Sequence, residues 1–177
     1  KDHKKSKEAE IYTRKAIELK PDCVDAYCNL GTILRDLRKL KEAEIYTRKA
    51  IQLNPGFAIA HYTLGTILKD VGKLKEAELS QRKAIEIKPD FANAHSNLGT
   101  ILRDLRKLKE AELSQRKAIE LKPNFAEAHF NLGNILKDLK KLDNAITSFY
   151  KASELGMDYN LCQSGIGSML LEKGNHV

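Results

Sequence analysis

The amino-acid sequence predicts an all-α fold, a solenoid of antiparallel helix pairs stacked through a repeat of 34 residues. Two columns of residues recur at that interval. They are the prolines Pro21, Pro55, Pro89 and Pro123 and the glycines Gly31, Gly65, Gly99, Gly133 and Gly167. In addition, the segment 29–44 recurs unchanged as 97–112. A fixed period of this length is typical of repeat architectures, in which each unit buries its apolar face against the next.

Each repeat is predicted to contain two amphipathic helices. The apolar residues between Ala26 and Leu37 recur at spacings of three and four, which places them on one face of a first helix. Ala43 and Ala50 mark a second helix, which follows a short basic turn. Pro55 ends the second helix, because proline has no N–H to donate and its ring clashes with the preceding turn.

The phase of the repeat divides the chain, 1–177, into parts of a single array. The parts are a second-helix half repeat at 7–23, full repeats at 24–57, 58–91, 92–125 and 126–159, and a first-helix half repeat at 160–177. Each half repeat supplies one helix and each full repeat two, so ten helices are expected. A short additional turn near the C-terminus would make eleven. The incomplete repeats at both ends suggest a segment of a longer array.

The glycine column predicts tight packing. A glycine inside a helix costs about 1 kcal/mol relative to alanine, so its recurrence at one phase suggests that another backbone comes close there. The second helices carry a matching column of small residues, which is expected to do the same. Its members are Ala43, Ala77, Ala111 and Ala145.

These columns resemble the signature of the tetratricopeptide-repeat (TPR) family. Leu30-Gly31, Ala43, Ala50 and Pro55 match it, and their counterparts recur through most of the chain. The resemblance implies a right-handed superhelical solenoid. One column departs from the family's usual aromatic residue, and looser packing is expected there. It holds Thr13, Thr47, Gln81 and Gln115, with only Phe149 conforming.

Composition excludes several classes of protein. A balance of 42% hydrophobic and 31% charged residues fits a folded, soluble chain. No apolar run approaches the roughly 20 residues that span a bilayer, and no signal peptide opens the chain, so no membrane association is expected. The three cysteines form an odd set without C-x-x-C spacing, which favours a reducing, cytoplasmic compartment.

The net charge of +7 permits an anionic partner, but its distribution argues against nucleic acid. Basic residues stand beside acids, as in Arg35-Asp36 and Lys41-Glu42, which is typical of solvated helix faces. RNA-reading helical repeats are the nearest alternative. Their usual period is 35 rather than 34, by resemblance to that class, and the small-residue columns here match TPR instead.

The sequence predicts no enzyme, no cofactor and no metal site. His61, His95 and His129 share a column, but adjacent repeats stack roughly 10 Å apart, whereas zinc ligands lie about 2.0–2.1 Å from the metal. A packing role is therefore expected. The glycines within 165–167 lack the third glycine and preceding strand of a dinucleotide loop. No nucleophile, base and orienting acid recur together.

In the TPR family the first helices line a concave groove, and their non-packing residues are the candidates for ligand binding. The predicted groove residues are Asn29, Thr63, Asn97 and Asn131; Thr32, Thr66, Thr100 and Asn134; Arg35, Lys69, Arg103 and Lys137; and Asp36, Asp70, Asp104 and Asp138. A carboxamide both donates and accepts, so an asparagine ladder suits a peptide backbone. The groove resembles the TPR superhelix of protein O-linked N-acetylglucosamine transferase. Alternatively, these columns simply solvate an exposed face.

The sequence thus predicts a scaffold that binds a protein or an extended peptide in a polar groove. The two-carboxylate clamp of TPR cochaperones is not expected, because Cys28 and Thr32 stand where its lysine and asparagine are needed. The alternative is a substrate-binding segment of a larger group-transfer enzyme such as a glycosyltransferase. Self-association through open repeat ends is a third hypothesis.

Overall fold

The computed structural model describes residues 2–174, and the side chains of residues 5–169. Within that range the chain forms ten α-helices and no strand, which confirms the all-α prediction and the count of ten. The helices are α1 (Asp2–Leu19), α2 (Val24–Asp36), α3 (Leu40–Leu53), α4 (Ala58–Asp70), α5 (Leu74–Ile87), α6 (Ala92–Asp104), α7 (Leu108–Leu121), α8 (Ala126–Asp138), α9 (Leu142–Glu154) and α10 (Tyr159–Gly174). The last three residues of the predicted half repeat 160–177 lie outside the described residues. None of the described helices has the length and apolar character needed to cross a bilayer.

The chain divides into two compact units. Unit 1 (Lys1–Pro89) contains α1 to α5, and unit 2 (Asp90–Val177) contains α6 to α10. In unit 1, α2 packs on α3 and α4 on α5. In unit 2, α6 packs on α7 and α8 on α9. These are the predicted pairs of first and second helices.

A left-handed residue closes the first helix of each repeat. After α2, Arg38 adopts φ 61°, and the N–H of Lys39 donates to the carbonyl of Leu34 over 2.8 Å. This bond occupies a carbonyl at the end of α2 that would otherwise have no partner within the helix. Gly72 takes the same place after α4 with φ 85°. An L-residue in this region costs about 1–2 kcal/mol, so the chain accepts strain where it places arginine instead of glycine.

The glycine column makes room for a side chain of the paired second helix. A Cβ on Gly31 would overlap the Thr47 hydroxyl, and one on Gly133 would lie 3.0 Å from the Phe149 ring. The expected close backbone is found at Gly31, where the Ala43 carbonyl oxygen would lie 3.4 Å from such a Cβ, but at both of these glycines the nearest atoms belong to a side chain. The approaching group belongs to the column that departs from the family, while Ala43 lies fully buried.

That departing column is packed tightly rather than loosely. Thr47, Gln81 and Gln115 are fully buried. The Gln81 amide donates to the carbonyl of Tyr62 over 3.0 Å, and Gln115 donates to that of Ser96 over 2.8 Å. Among the described residues, however, the side-chain oxygens of all three have no hydrogen-bond partner. These three polar side chains thus fill the space beside the glycines, but each has one buried oxygen without a hydrogen-bond partner among the described residues.

Adjacent repeats are joined by a glutamate that accepts from two cations. Glu44 pairs with Arg48, one turn later on α3, at 2.8 Å and with Lys73, before α5, at 3.2 Å. Glu112 has the equivalent partners in unit 2. Burial opposes the charged form of Glu44, but the hydrogen bonds from Arg48 and Lys73 outweigh it and lower its pKa.

Candidate functional site

The predicted basic and acidic columns meet in unit 1 where the first helices end. Arg35 Nε lies 3.7 Å from Asp70 Oδ2, and its Nη2 lies 3.2 Å from Asp36 Oδ1. Asp36 and Asp70 are the last residues of α2 and α4, so Arg35 bridges two neighbouring first helices. Together with Arg38 these residues line a cavity of about 280 Å³, which we call site 1.

Unit 2 repeats this arrangement at the ends of α6 and α8. Arg103 Nε lies 2.6 Å from Asp138 Oδ2. Arg103, Asp104, Arg106 and Asp138 line a cavity of about 250 Å³, which we call site 2. The two sites have the same four residue types at the same phase of the repeat. The structure therefore brings the predicted acid and base columns together within each unit.

Each site combines a fixed ion pair with exposed charges. The bridging arginine is partly covered in both sites, with 30% of the Arg35 and 35% of the Arg103 side chain exposed. The aspartate beside it is more open, with 53% of the Asp36 side chain exposed. A half-exposed ion pair contributes little to stability. The ion pair instead orients its side chains, because it holds their hydrogen-bond donors and acceptors toward solvent.

The predicted groove residues did not include Arg38 and Arg106, which belong to the turns after the first helices. Both are exposed and left-handed, with φ near that of Gly72 at the equivalent position. Aligning the repeats shows the signal that was available: glycine occurs once in this column, and basic residues occupy it elsewhere. A backbone position that favours glycine but carries arginine is a candidate for a surface role.

The asparagine column is less open than predicted. Asn29 is exposed, whereas Asn97 and Asn131 are half-buried. Thr63 is only 5% exposed, and its hydroxyl lies 3.6 Å from the Cys28 sulfur at the interface of α4 with α2. Thr63 therefore offers little surface to a ligand in this structure. Burial raises the pKa of the Cys28 thiol, and the contact with the Thr63 hydroxyl opposes that shift without cancelling it.

The side chains of the next column, which begins with Thr32, form hydrogen bonds within their own helices. Each of its members is half-buried and bonds to the carbonyl four residues earlier, as Thr32 does to Cys28 at 3.3 Å. The other members are Thr66, Thr100 and Asn134. Their side chains border the first-helix surface but already have an intrahelical partner.

The two lysines of the basic column behave differently from its arginines. Lys137 on α8 donates to the hydroxyl of Ser168 on α10 over 2.9 Å. Lys69 on α4 is half-buried. A lysine ammonium is a single point of charge, whereas the planar guanidinium of arginine can contact two carboxylates at once. Arg35 uses this property in site 1, where it contacts both Asp36 and Asp70.

The histidines anchor the linkers between repeats. His61 Nε2 lies 2.9 Å from the carbonyl oxygen of Pro55, and His129 Nε2 lies 3.0 Å from that of Pro123. Each ring thus contacts the proline six residues earlier. Among the described residues, no group of three or more histidine, cysteine or acidic side chains is placed to hold a metal ion.

Family comparison matches most of the chain. Models described as tetratricopeptide repeat match residues 24–57, 58–91, 92–125 and 115–147. These segments together run from residue 24 to residue 147 and include site 1 and site 2. Comparison with curated protein sequences gave no match.

Several solved structures share the fold. YrrB, described as a TPR protein with an unusual peptide-binding site, is 28% identical with a TM-score of 0.74, covering 92% of this chain and 84% of YrrB. MamA from Desulfovibrio magneticus RS-1 is 23% identical with a TM-score of 0.74, covering 85% of each chain. PilF of Pseudomonas aeruginosa is 19% identical with a TM-score of 0.81, covering 97% of this chain and 84% of PilF.

Proposed function

Because the chain belongs to the tetratricopeptide-repeat family, we propose that it binds an extended segment of another polypeptide. Each unit offers its own binding surface, which we call its first-helix face. It is formed by the exposed sides of α2 and α4 in unit 1, and by those of α6 and α8 in unit 2. Site 1 and site 2 are the anchor points. The observation that carries the proposal is the arginine bridge between consecutive first helices, which recurs in both units.

The residues at each site match what an extended peptide offers. Its backbone presents alternating N–H and C=O groups that are not used within the peptide. The exposed carboxylates of Asp36 and Asp104 accept from backbone N–H groups, and the exposed guanidinium groups of Arg38 and Arg106 donate to carbonyls or side-chain carboxylates. Exposed Asn29 can do both.

The ion pairs favour binding by holding the bridging arginines in place before the ligand arrives. A side chain that is already fixed loses less rotamer freedom on binding, typically about 0.5–1.5 kcal/mol for each long side chain. Arg35 and Arg103 are fixed in this way by Asp70 and Asp138. The similarity to YrrB, a peptide-binding TPR protein, supports the same reading.

The proposal is tested by selecting short unstructured peptides from a display library and measuring the best binder by titration calorimetry. The informative variant is Asp36→Ala with Asp104→Ala, which removes one exposed acceptor from each site. It also removes the Arg35–Asp36 pair, but it keeps the pairs between helices, Arg35–Asp70 and Arg103–Asp138. Each lost hydrogen bond is worth about 0.5–1.5 kcal/mol, so affinity should fall by about one to two orders of magnitude.

Matched controls are available at the other ends of the same surface. Asp25 and Glu127 are exposed acids in the first turns of α2 and α8, outside both sites. Replacing these two by alanine should leave affinity within about twofold. Equal affinity in the site variant and the wild type, with both folded, would contradict the proposal and move recognition away from these sites.

A further inference from the structure

An apolar cleft of about 450 Å³ opens in unit 2 between α7 and α9, over α8, on which both helices pack. Ile119 on α7 and Leu132 on α8 supply its apolar lining, and Arg116 and Lys151 are among its polar residues. Volumes of about 300–1,000 Å³ are typical of ligand sites. The cleft shares no residue with site 2, so it is a separate feature of the same unit.

The equivalent place in unit 1 is filled by the side chain of Tyr46. Three repeats separate α1, α2 and α3 from α7, α8 and α9, and Ser148 stands where α3 has Tyr46. Tyr46 packs with Ile17 against the cluster that contains Leu30. These two residues hold the positions of the apolar lining in unit 2. The exchange of tyrosine for serine thus removes an aromatic ring from an otherwise similar lining.

Tyr46 shows which contacts a phenol ring makes in this place. Its hydroxyl accepts a hydrogen bond from Arg14 Nη1 over 2.7 Å, and the guanidinium carbon of Arg14 lies 5.2 Å from the ring centroid. Tyr27 stacks on the ring, with centroids 6.2 Å apart and an interplanar angle of 26°. In unit 2 the counterparts of these two residues are Arg116 and the half-buried His129. The cleft therefore keeps a cation for a hydroxyl and a flat ring in the place of Tyr27.

Arg116 also keeps the donor that Arg14 uses for Tyr46. Each arginine binds the glutamate one turn earlier through Nε and Nη2, Arg14 with Glu10 and Arg116 with Glu112. Among the described residues, Arg116 Nη1 has no hydrogen-bond partner. A ligand oxygen in the cleft can therefore accept from it.

The charge around this arginine differs between the two units. Arg14 pairs with a second carboxylate, that of Glu42, at 2.7 Å, whereas the equivalent residue in unit 2 is the neutral Asn144. Glu112 is the carboxylate that contacts Arg116, and it also pairs with Lys141. Arg116 is thus less fully neutralised than Arg14, which favours a partner that brings a carboxylate with its ring.

We propose that the cleft of unit 2 binds a tyrosine side chain of another polypeptide, one that carries an acidic residue close to that tyrosine. The ring packs against Ile119 and Leu132, and its hydroxyl accepts from Arg116 Nη1. The neighbouring carboxylate pairs with the same guanidinium, as Glu42 does with Arg14 in unit 1. Burial of the ring supplies most of the affinity, and the two oxygens supply the specificity.

The other position of this kind within unit 1, over α4, has different surroundings. Serine stands there too, at Ser80, but Arg48 has its second carboxylate, that of Glu76, at 3.3 Å. Leu79 occupies the position that Thr147 has in unit 2. This position therefore lacks the incompletely neutralised arginine and provides a matched control.

Ser148→Tyr tests the proposal because it fills the cleft from within, as Tyr46 does in unit 1. Peptides are selected from a random display library on the full chain and counter-selected on this variant. The enriched peptides should contain a tyrosine with an acid about four residues away or fewer. Ser148→Tyr should weaken them at least tenfold in titration calorimetry. Ser80→Tyr, at the equivalent position on α5, should leave their affinity unchanged, and thermal melts confirm that both variants fold.

The hydrogen bond is tested without filling the cleft. Phenylalanine in place of the peptide's tyrosine should weaken binding to the wild type about two- to tenfold. Arg116→Gln should abolish that difference, so that both peptides bind alike. Arg116 is exposed, and its replacement should leave the melting temperature nearly unchanged. An undiminished preference for tyrosine in Arg116→Gln would contradict the assigned contact.

Several outcomes would overturn the proposal. They are the absence of enrichment, enriched peptides without tyrosine, and undiminished binding to folded Ser148→Tyr. Binding of free 4-methylphenol as tight as that of the peptide would overturn it in favour of a small molecule. Asp36→Ala with Asp104→Ala should not affect these peptides, so failure here is distinguishable from failure of the first-helix proposal.

Discussion

Unit 1 and unit 2 each carry the same kind of surface site but differ in their interiors. Site 1 and site 2 are built from the same residue types, and both bridge consecutive first helices. Beneath site 1, Gly31 faces the small polar side chain of Thr47. In unit 2, Gly133 faces Phe149, which also packs against Phe130 with ring centroids 5.3 Å apart at 67°. Interior chemistry changes while the surface arrangement is retained.

The difference shows what the repeat backbone requires. A glycine on the first helix leaves a space, and either an aromatic ring, a glutamine or a threonine can fill it. These side chains differ in the energy of burial, because Phe149 is large and apolar whereas the Thr47 hydroxyl has no hydrogen-bond partner within the described part of the chain. Stability is therefore distributed unevenly along the chain, although the candidate sites are alike.

The largest effect is expected from Phe149→Ala in unit 2. Phe149 is fully buried and contacts Gly133 and Gly165, so its removal leaves a large cavity in the cluster around α9 and α10. The free energy of unfolding should fall by about 3–5 kcal/mol. Urea denaturation measures it, with the half-exposed neighbour Tyr150→Ala as control. A loss no greater than that of the control would refute the unequal distribution.

Thr47→Val should act in the opposite direction in unit 1. Valine has nearly the same shape as threonine, and it removes a buried hydroxyl that lacks a hydrogen-bond partner among the described residues. We expect stabilisation of about 1–3 kcal/mol, measured by urea denaturation. Thr32→Val is the matched control, because the Thr32 hydroxyl donates to Cys28 and its loss should not stabilise. Destabilisation by Thr47→Val would mean that the hydroxyl is paired.

A smaller effect concerns acid sensitivity, which both units should show alike. The pKa of Glu44 and that of Glu112 lie below the usual value, because hydrogen bonds from lysine and arginine outweigh the effect of burial. A carboxylate whose pKa is lowered in the folded state stabilises the protein at pH values above its usual pKa of about 4.3. That stability is lost as the pH falls through the folded-state pKa. Stability should therefore decline below about pH 4.

Glu44→Gln and Glu112→Gln test this expectation by chemical denaturation between neutral and acidic pH. Each variant should be less stable than the wild type at neutral pH and should lose less stability on acidification. The two variants should have comparable slopes, since their ion-pair partners are equivalent. A slope identical to that of the wild type would show that these carboxylates do not link the repeats.

The sequence predicted the helices well because they depend on regular spacing. The proline and glycine columns define where helices end and where they approach, and ten helices follow from that period. The contacts of Arg35 with Asp70 and of Arg103 with Asp138 were not predicted, although the four residues were among the predicted groove residues. Their part in ligand binding stays a prediction.

Exposure and turn geometry were harder to predict. Thr63 shares a column with exposed Asn29, yet it packs against Cys28 of the preceding first helix. Column position does not reveal how near the neighbouring helix lies. Arg38 was not predicted as a site residue, because its proposed role depends on a left-handed backbone, which sequence patterns indicate mainly through glycine.

The central claim is that the first-helix face holds an extended peptide, and amide chemical-shift mapping tests it most directly. The labelled chain is titrated with the peptide selected on it, and shifts are assigned by residue. The account predicts that the largest changes lie at the ends of the first helices, near Arg35, Asp70, Arg103 and Asp138. Changes confined to the second helices, with these residues unshifted at saturation, would contradict it.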